Sequence, residues 1–167
     1  RWVVEVQQQR GYDVSWKFIS LFMINNDRGY SEGNKQHQDG HMAGLQALRV
    51  ASAARASAGN EAVAAVYSAF GQAIHVAKRR PATAVEMKEF ARTVLTEAGL
   101  NSQWADSAID ELHDEVIRYE TTRALELTGK DVGTPILVFH PDKPNQASFF
   151  GPVISAIPRG PEALRLW

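Results

Sequence analysis

The residues best suited to chemistry lie in two short segments that each end in proline, Gly133-Thr134-Pro135 and Phe150-Gly151-Pro152. The first opens the apolar run Ile136-Leu137-Val138-Phe139, the second closes Ser148-Phe149-Phe150, and a polar turn from His140 separates them. Proline has no N–H to donate and is tolerated at the first residue of a strand, so Pro135 marks a strand start. Thr134-Pro135 is also a candidate cis peptide, because the tertiary amide narrows the preference for trans. Such a bond would turn a backbone edge outward at the head of a sheet, where a ligand can pair with it. Glycine at position 151 allows close backbone approach beside that edge.

The remaining polar constellations are weaker. His37 and His41 are one helical turn apart, but no glutamate follows the first and Gly40 intervenes, so they read as exposed residues at a helix entry. His113 sits among Asp110, Glu111, Asp114 and Glu115 and reads as part of a solvated face. His75 follows Ile74 on an otherwise apolar helix and reads as a partly buried, hydrogen-bonded histidine. Lys78-Arg79-Arg80 precedes Pro81 and reads as a favourable charge cluster at a helix C-terminus. There is no glycine-rich phosphate loop after a strand, and no Ser-His-Asp set can be argued from spacing.

The elements that must position these residues begin with a helix. Trp2, Val3 and Val6 share a face and Gly11 is a natural stop. The chain starts at Arg1 with nothing to cap that helix, so a fragment cut inside a helix is expected. Tyr12, Val14, Trp16 and Phe18 alternate with polar residues and predict a half-buried strand. Leu21 to Gln38 reads as a loop around Asn25-Asn26-Asp27-Arg28-Gly29, following a strand end where open α/β sheets place ligands.

From Asp39 to Thr128 the pattern is helical. His41 to Ala58 ends at Gly59, and Asn60 caps a helix with Val63, Val66, Tyr67, Phe70 and Ile74 inward. Thr83-Ala84-Val85-Glu86 reads as a capping box for a helix that Gly99 ends. Asn101 or Ser102 caps a longer helix with the stripe Ala105, Ile109, Leu112, Val116, Tyr119, Ala124 and Leu127. A final helix begins at Gly160 and the chain stops inside it. Four helices between two strand regions read as a helical domain inserted into an α/β sheet.

A chain of 167 residues, 44% apolar and 22% charged with net charge −1, suits one globular domain with a substantial core. The charge balance gives no reason to expect nucleic acid or acidic lipid, and no apolar run approaches a membrane span. There are no cysteines.

The Gly-Thr-Pro strand, the hairpin and the run Phe149-Phe150-Gly151-Pro152-Val153-Ile154-Ser155-Ala156-Ile157-Pro158-Arg159-Gly160 resemble DsbA-like thioredoxin-fold oxidoreductases, closest to the mycothiol-dependent nitroreductase branch. The resemblance implies an α/β fold of thioredoxin type with an all-helical insertion, lacking the first strand and the start of the first helix. Residues 1–38 and 129–167 would form the incomplete thioredoxin-like domain and 39–128 the helical lid.

It also implies a thiol-disulfide oxidoreductase whose Cys-x-x-Cys lies upstream of Arg1, leaving this fragment inactive alone. Gly133, Thr134 and Pro135 would hold the sulfur-bound substrate, Phe150, Gly151 and Pro152 would form the neighbouring wall, and Asn25 and His75 would line the lid side. No tightly bound cofactor or metal is implied. The expected partners are mycothiol, as thiol co-substrate, and a small-molecule or disulfide substrate, in a cytoplasmic setting without nucleic acid or membrane. Two alternatives stay open: a glutathione-using enzyme of the 2-hydroxychromene-2-carboxylate isomerase or kappa-class transferase kind, and a non-catalytic thioredoxin-like binding module.

Overall fold

The structure, a computed structural model, describes residues 2–30, 35–81, 83–129 and 133–167. Arg1, part of the expected loop (Ser31 to Asn34), and Asp131 and Val132 before the first strand lie outside the described residues. Seven α-helices are described: α1 (Trp2–Arg10), α2 (Leu21–Arg28), α3 (Lys35–Ala58), α4 (Asn60–Gly71), α5 (Met87–Glu97), α6 (Asp114–Thr128) and α7 (Gly160–Leu166). A π turn (Gln72–Val76) extends α4, and 3-10 turns occupy Ala84–Glu86, Ser102–Ile109 and Glu111–His113. The described strands, β1 (Ile136–Phe139) and β2 (Ala147–Phe150), form one antiparallel hairpin. The result is a mixed, mainly helical chain with a small sheet, consistent with an α/β class.

Two compact units divide the chain, Arg1–Ser15 with Ala124–Trp167, and Trp16–Arg123. Residues 16–38 were expected with the α/β part, but those described pack with the helices, because Phe18 and Met23 insert into the helical core. That core gathers Leu45 and Val50 of α3, Val66 and Phe70 of α4, Met87, Val94 and Leu95 of α5, and Ile117 of α6.

The expected strand at Tyr12–Phe18 does not form; no β-ladder includes it. Its alternating amides find side-chain acceptors instead. Trp16 N–H donates to Asn60 Oδ1 at 2.8 Å, Phe18 N–H to Glu120 Oε2 at 2.8 Å and Ser20 N–H to Thr121 Oγ1 at 3.0 Å. Backbone polar groups taken from water need such partners, and polar side chains serve where no strand is at hand. Asn60 is accordingly the first residue of α4, not its cap; Gly59 occupies that position with φ +78°.

Glu120 is the busiest of these acceptors. It is buried, and besides Phe18 N–H it takes Arg55 Nη1 at 3.0 and 3.1 Å and Lys17 Nζ at 3.3 Å. Arg55 also donates to Trp16 O at 3.2 Å and lies 4.1 Å over the Phe18 ring.

Several expected elements differ in detail. Leu21 to Gln38 is not a loop throughout, since Ser20 Oγ accepts Met23 N–H and caps α2, and burial of Met23 outweighs the polar run that follows. The Thr83 capping box is not made, as Thr83 forms no side-chain cap. Tyr67 is 68% exposed, because the buried stripe runs through Val63, Val66, Phe70 and Ala73. The long helix breaks at Asp110, whose Oδ1 accepts Leu112 N–H. Before the break the 3-10 segment buries Ala105 and Ala108 and exposes Ile109; after it Ile117 is buried while Leu112 and Tyr119 are exposed.

In the other unit, α1 supplies the cap that α7 lacks. Glu5 accepts Gly160 N–H at 3.0 Å and Arg159 Nη1 at 2.9 Å, while Trp2 Nε1 donates to Ala163 O at 2.9 Å. These contacts, first the Gly160 hydrogen bond and then Arg159, hold the Glu5 carboxyl below its ordinary range.

Glu120→Ala would leave the buried Phe18 amide without its acceptor and the part-buried Arg55 guanidinium without its carboxylate, and should lower unfolding free energy by about 2 kcal/mol in a denaturant titration. A depressed folded-state value means that the Glu5 contribution is complete above the ordinary glutamate range and is lost as pH falls through the lower one. Glu5→Gln should therefore flatten the acid limb of the pH–stability curve measured by thermal unfolding, leaving its neutral limb parallel.

Candidate functional site

The hairpin brings the two proline segments together. Ile136 stands opposite Phe150 at the open end of the β1–β2 ladder, and Gly151 N–H donates to Pro135 O at 2.8 Å, extending the ladder by one bond. Both Thr134-Pro135 and Gly151-Pro152 are cis peptides. The second was not anticipated from sequence; glycine before proline at the end of a strand was the only signal available for it.

Gly151 is buried with φ +105°, a region that other residues rarely adopt. Gly133 has no such requirement, and a Cβ placed on it would lie 3.4 Å from Cε2 of the Phe150 ring. The ring therefore rests against the Gly133 backbone while staying 45% exposed. Gly133, Thr134 and Pro135 are exposed, and among the described residues no partner takes the Thr134 N–H or C=O. The outcome is an open peptide edge with a half-exposed aromatic ring beside it.

Behind the edge the hairpin is anchored. Ser148 Oγ donates to Leu127 O at 2.9 Å, tying β2 to the end of α6. Phe149 stacks on Phe139 with centroids 5.8 Å apart, and Phe139 meets Trp167 edge-on at 4.9 Å. The polar turn is closed by Lys143 N–H to His140 O and by Asp142 N–H to Gln146 Oε1.

Asn25 and His75 belong to the helical unit. Asn25 lies on α2, half-buried, with Nδ2 donating to Leu21 O at 2.7 Å. His75 is exposed, not partly buried as expected, because the π turn inserts an extra residue and rotates it away from the stripe of Phe70 and Ala73.

The other constellations are structural. His41 Nδ1 is 3.0 Å from Tyr30 Oη, whose phenol is pushed up by burial, and His37 stacks on His41. His113 is half-buried and bonded through Nδ1 to Ser52 Oγ at 3.1 Å, which corrects its expected solvated setting. Arg79 is engaged bidentately by Glu97, with Nη1 to Oε1 at 2.9 Å. Among the described residues no three metal-ligating side chains cluster, and no helix is long and apolar enough to cross a membrane.

Gly151→Ala is expected to destabilise the unit by about 1–3 kcal/mol in chemical denaturation, from the positive φ alone. Gly133→Ala should change stability by less than about 0.5 kcal/mol, since its Cβ would make only an ordinary contact with Phe150.

The chain is 29% identical over 170 residues to the uncharacterised protein Rv2286c of Mycobacterium tuberculosis, covering 99% of the chain and 66% of that protein. It thus spans just under two thirds of that relative's length. All residues from 1 to 167 match the family described as Rv2466c-like, mycothiol-dependent nitroreductase Rv2466c, and the chain belongs to that family.

Proposed function

We propose that the full-length protein is a mycothiol-dependent reductase of DsbA-like, thioredoxin-fold type, reducing a small-molecule or disulfide substrate in the cytoplasm. The observation that carries this reading is the family match across the whole chain. The open Thr134 edge supports it from the structural side. The 167 residues hold no cysteine, so in this reading a Cys-x-x-Cys outside them does the thiol chemistry and these residues bind and orient.

In this mechanism Thr134 N–H and C=O pair with the amide of the sulfur-bound substrate and hold its sulfur against the attacking thiolate. The thiolate attacks one sulfur of the disulfide, forming a mixed disulfide and releasing a thiolate that takes a proton. The second cysteine displaces the other thiol to leave an enzyme disulfide, which two mycothiol molecules reduce to the dithiol while becoming their own disulfide. Phe150, Gly151 and Pro152 wall the bound group.

The test is turnover by the full-length protein with mycothiol as reductant. Because the backbone of Thr134 does the binding, Thr134→Ala should keep kcat/KM within about threefold. Thr134→Pro removes the N–H and should lower it by about a hundredfold. No mycothiol-dependent turnover in the full-length protein would sink the reading, and equal effects of the two substitutions would remove Thr134 from it.

A further inference from the structure

We propose that His37 and His41 form a two-histidine site for one divalent cation of the Zn²⁺ kind, with Tyr30 orienting the second ligand. The site does not depend on the reductase reading above.

Gly40 was expected to interrupt this pair, yet α3 runs from Lys35 to Ala58 and takes Gly40 into its helix. Residues four apart on a helix are neighbours on one face, with Cβ atoms about 5–6 Å apart. The two imidazole rings accordingly lie nearly parallel, 18° between their planes, with centroids 6.5 Å apart. Asp39 falls between them in sequence, and its spacing puts it on the other side of the helix. Among the described residues no third histidine, aspartate or glutamate joins the pair.

His41 is half-buried, and its Nδ1 lies 3.0 Å from Tyr30 Oη. Tyr30 is held in turn against Phe22 of α2, with ring centroids 6.3 Å apart. With Nδ1 engaged by Tyr30, Nε2 is the nitrogen left for a cation. Histidine ligates a metal through one neutral nitrogen, and a hydrogen bond from the other fixes the tautomer and the ring orientation. Here Nδ1–H would donate to the Tyr30 hydroxyl, which accepts as well as donates. His37 is exposed, so rotation of its side chain can bring Nε2 onto the same ion at the usual Zn–N distance of about 2.0–2.1 Å. Water would fill the remaining positions. Two imidazoles without a carboxylate favour Zn²⁺, Ni²⁺ or Cu²⁺ over Mg²⁺ and Ca²⁺, which take oxygen ligands.

The experiment is a calorimetric titration of the full-length protein with ZnCl₂, after alkylation of its thiols so that cysteines outside the 167 residues bind no metal. One ion held by the pair is expected. His37→Ala and His41→Ala should each weaken its binding about a hundredfold, because the gain from two linked ligands is lost. Tyr30→Phe keeps the ring but removes the hydroxyl, and should weaken binding about tenfold. His75→Ala, which removes an exposed histidine of the π turn, should leave the affinity unchanged, and MgCl₂ should give no heat of binding. Saturating Zn²⁺ should raise the melting temperature of the parent but not that of the double variant His37→Ala/His41→Ala.

Zn²⁺ binding that persists undiminished in the double variant, or no binding by the parent at millimolar Zn²⁺, would overturn the site. An equal loss in His75→Ala would do the same. Unchanged affinity in Tyr30→Phe would overturn the role given to Tyr30. His37 is exposed, so the metal-free melting temperature of His37→Ala is expected within a few degrees of the parent, which separates lost binding from a folding defect.

Discussion

The hydrogen bond from Gly151 N–H to Pro135 O is the constraint on which the candidate site depends. It closes the open end of the hairpin and sets two proline-bearing segments, sixteen residues apart in sequence, side by side. Pro135 carries no N–H, so its carbonyl is the group through which the backbone there joins the ladder. With that carbonyl engaged, the preceding peptide faces solvent, and Thr134 is left as an edge. Gly151 can make the bond because it tolerates a backbone angle that a side chain would oppose. Ser148 ties one face of the hairpin to Leu127 and the Phe149–Phe139–Trp167 contacts hold the other, so the edge is open on a supported frame.

The helical unit solves a related accounting problem in another way. The segment from Tyr12 to Phe18 has the alternating pattern of a strand, yet the amides of Trp16, Phe18 and the following Ser20 are met by Asn60, Glu120 and Thr121. Glu120 reconciles burial of a carboxylate with its charge by taking Arg55 and Lys17 as well as an amide. Arg49 does the same on the neighbouring turns of α3, pairing bidentately with Asp114. The long helix α3 therefore lies between an apolar core and a polar seam with α6.

The hairpin was legible in the sequence because its signals are local: a proline at a strand start, a polar turn, and glycine where the backbone turns sharply. The helix around Val63–Phe70 was legible from apolar spacing, and the next one from its stop at Gly99, although the capping box expected at its start is not made. What could not be read depended on long-range partners. Tyr12–Phe18 carries a strand pattern, and only the supply of acceptors from α4 and α6 decides how its amides are satisfied. Asp110 looked like one more polar residue on a helix face; the 3-10 turns before it bury Ala105 and Ala108 and leave Ile109 outward, and after its cap on Leu112 the helix restarts with Ile117 inward and Tyr119 outward. His75 was misjudged because a π turn leaves no clear sequence trace. Of the candidate site, the six hairpin residues come together, whereas Asn25 and His75 are carried by the helical unit.

The most direct test is the structure of the full-length enzyme trapped as a mixed disulfide with mycothiol. The account predicts the amide of the cysteinyl group hydrogen-bonded to Thr134 N–H and C=O, both within about 3 Å, with the Phe150 ring facing the remaining space. A trapped thiol held by side chains elsewhere, with the Thr134 peptide still facing water, would contradict it.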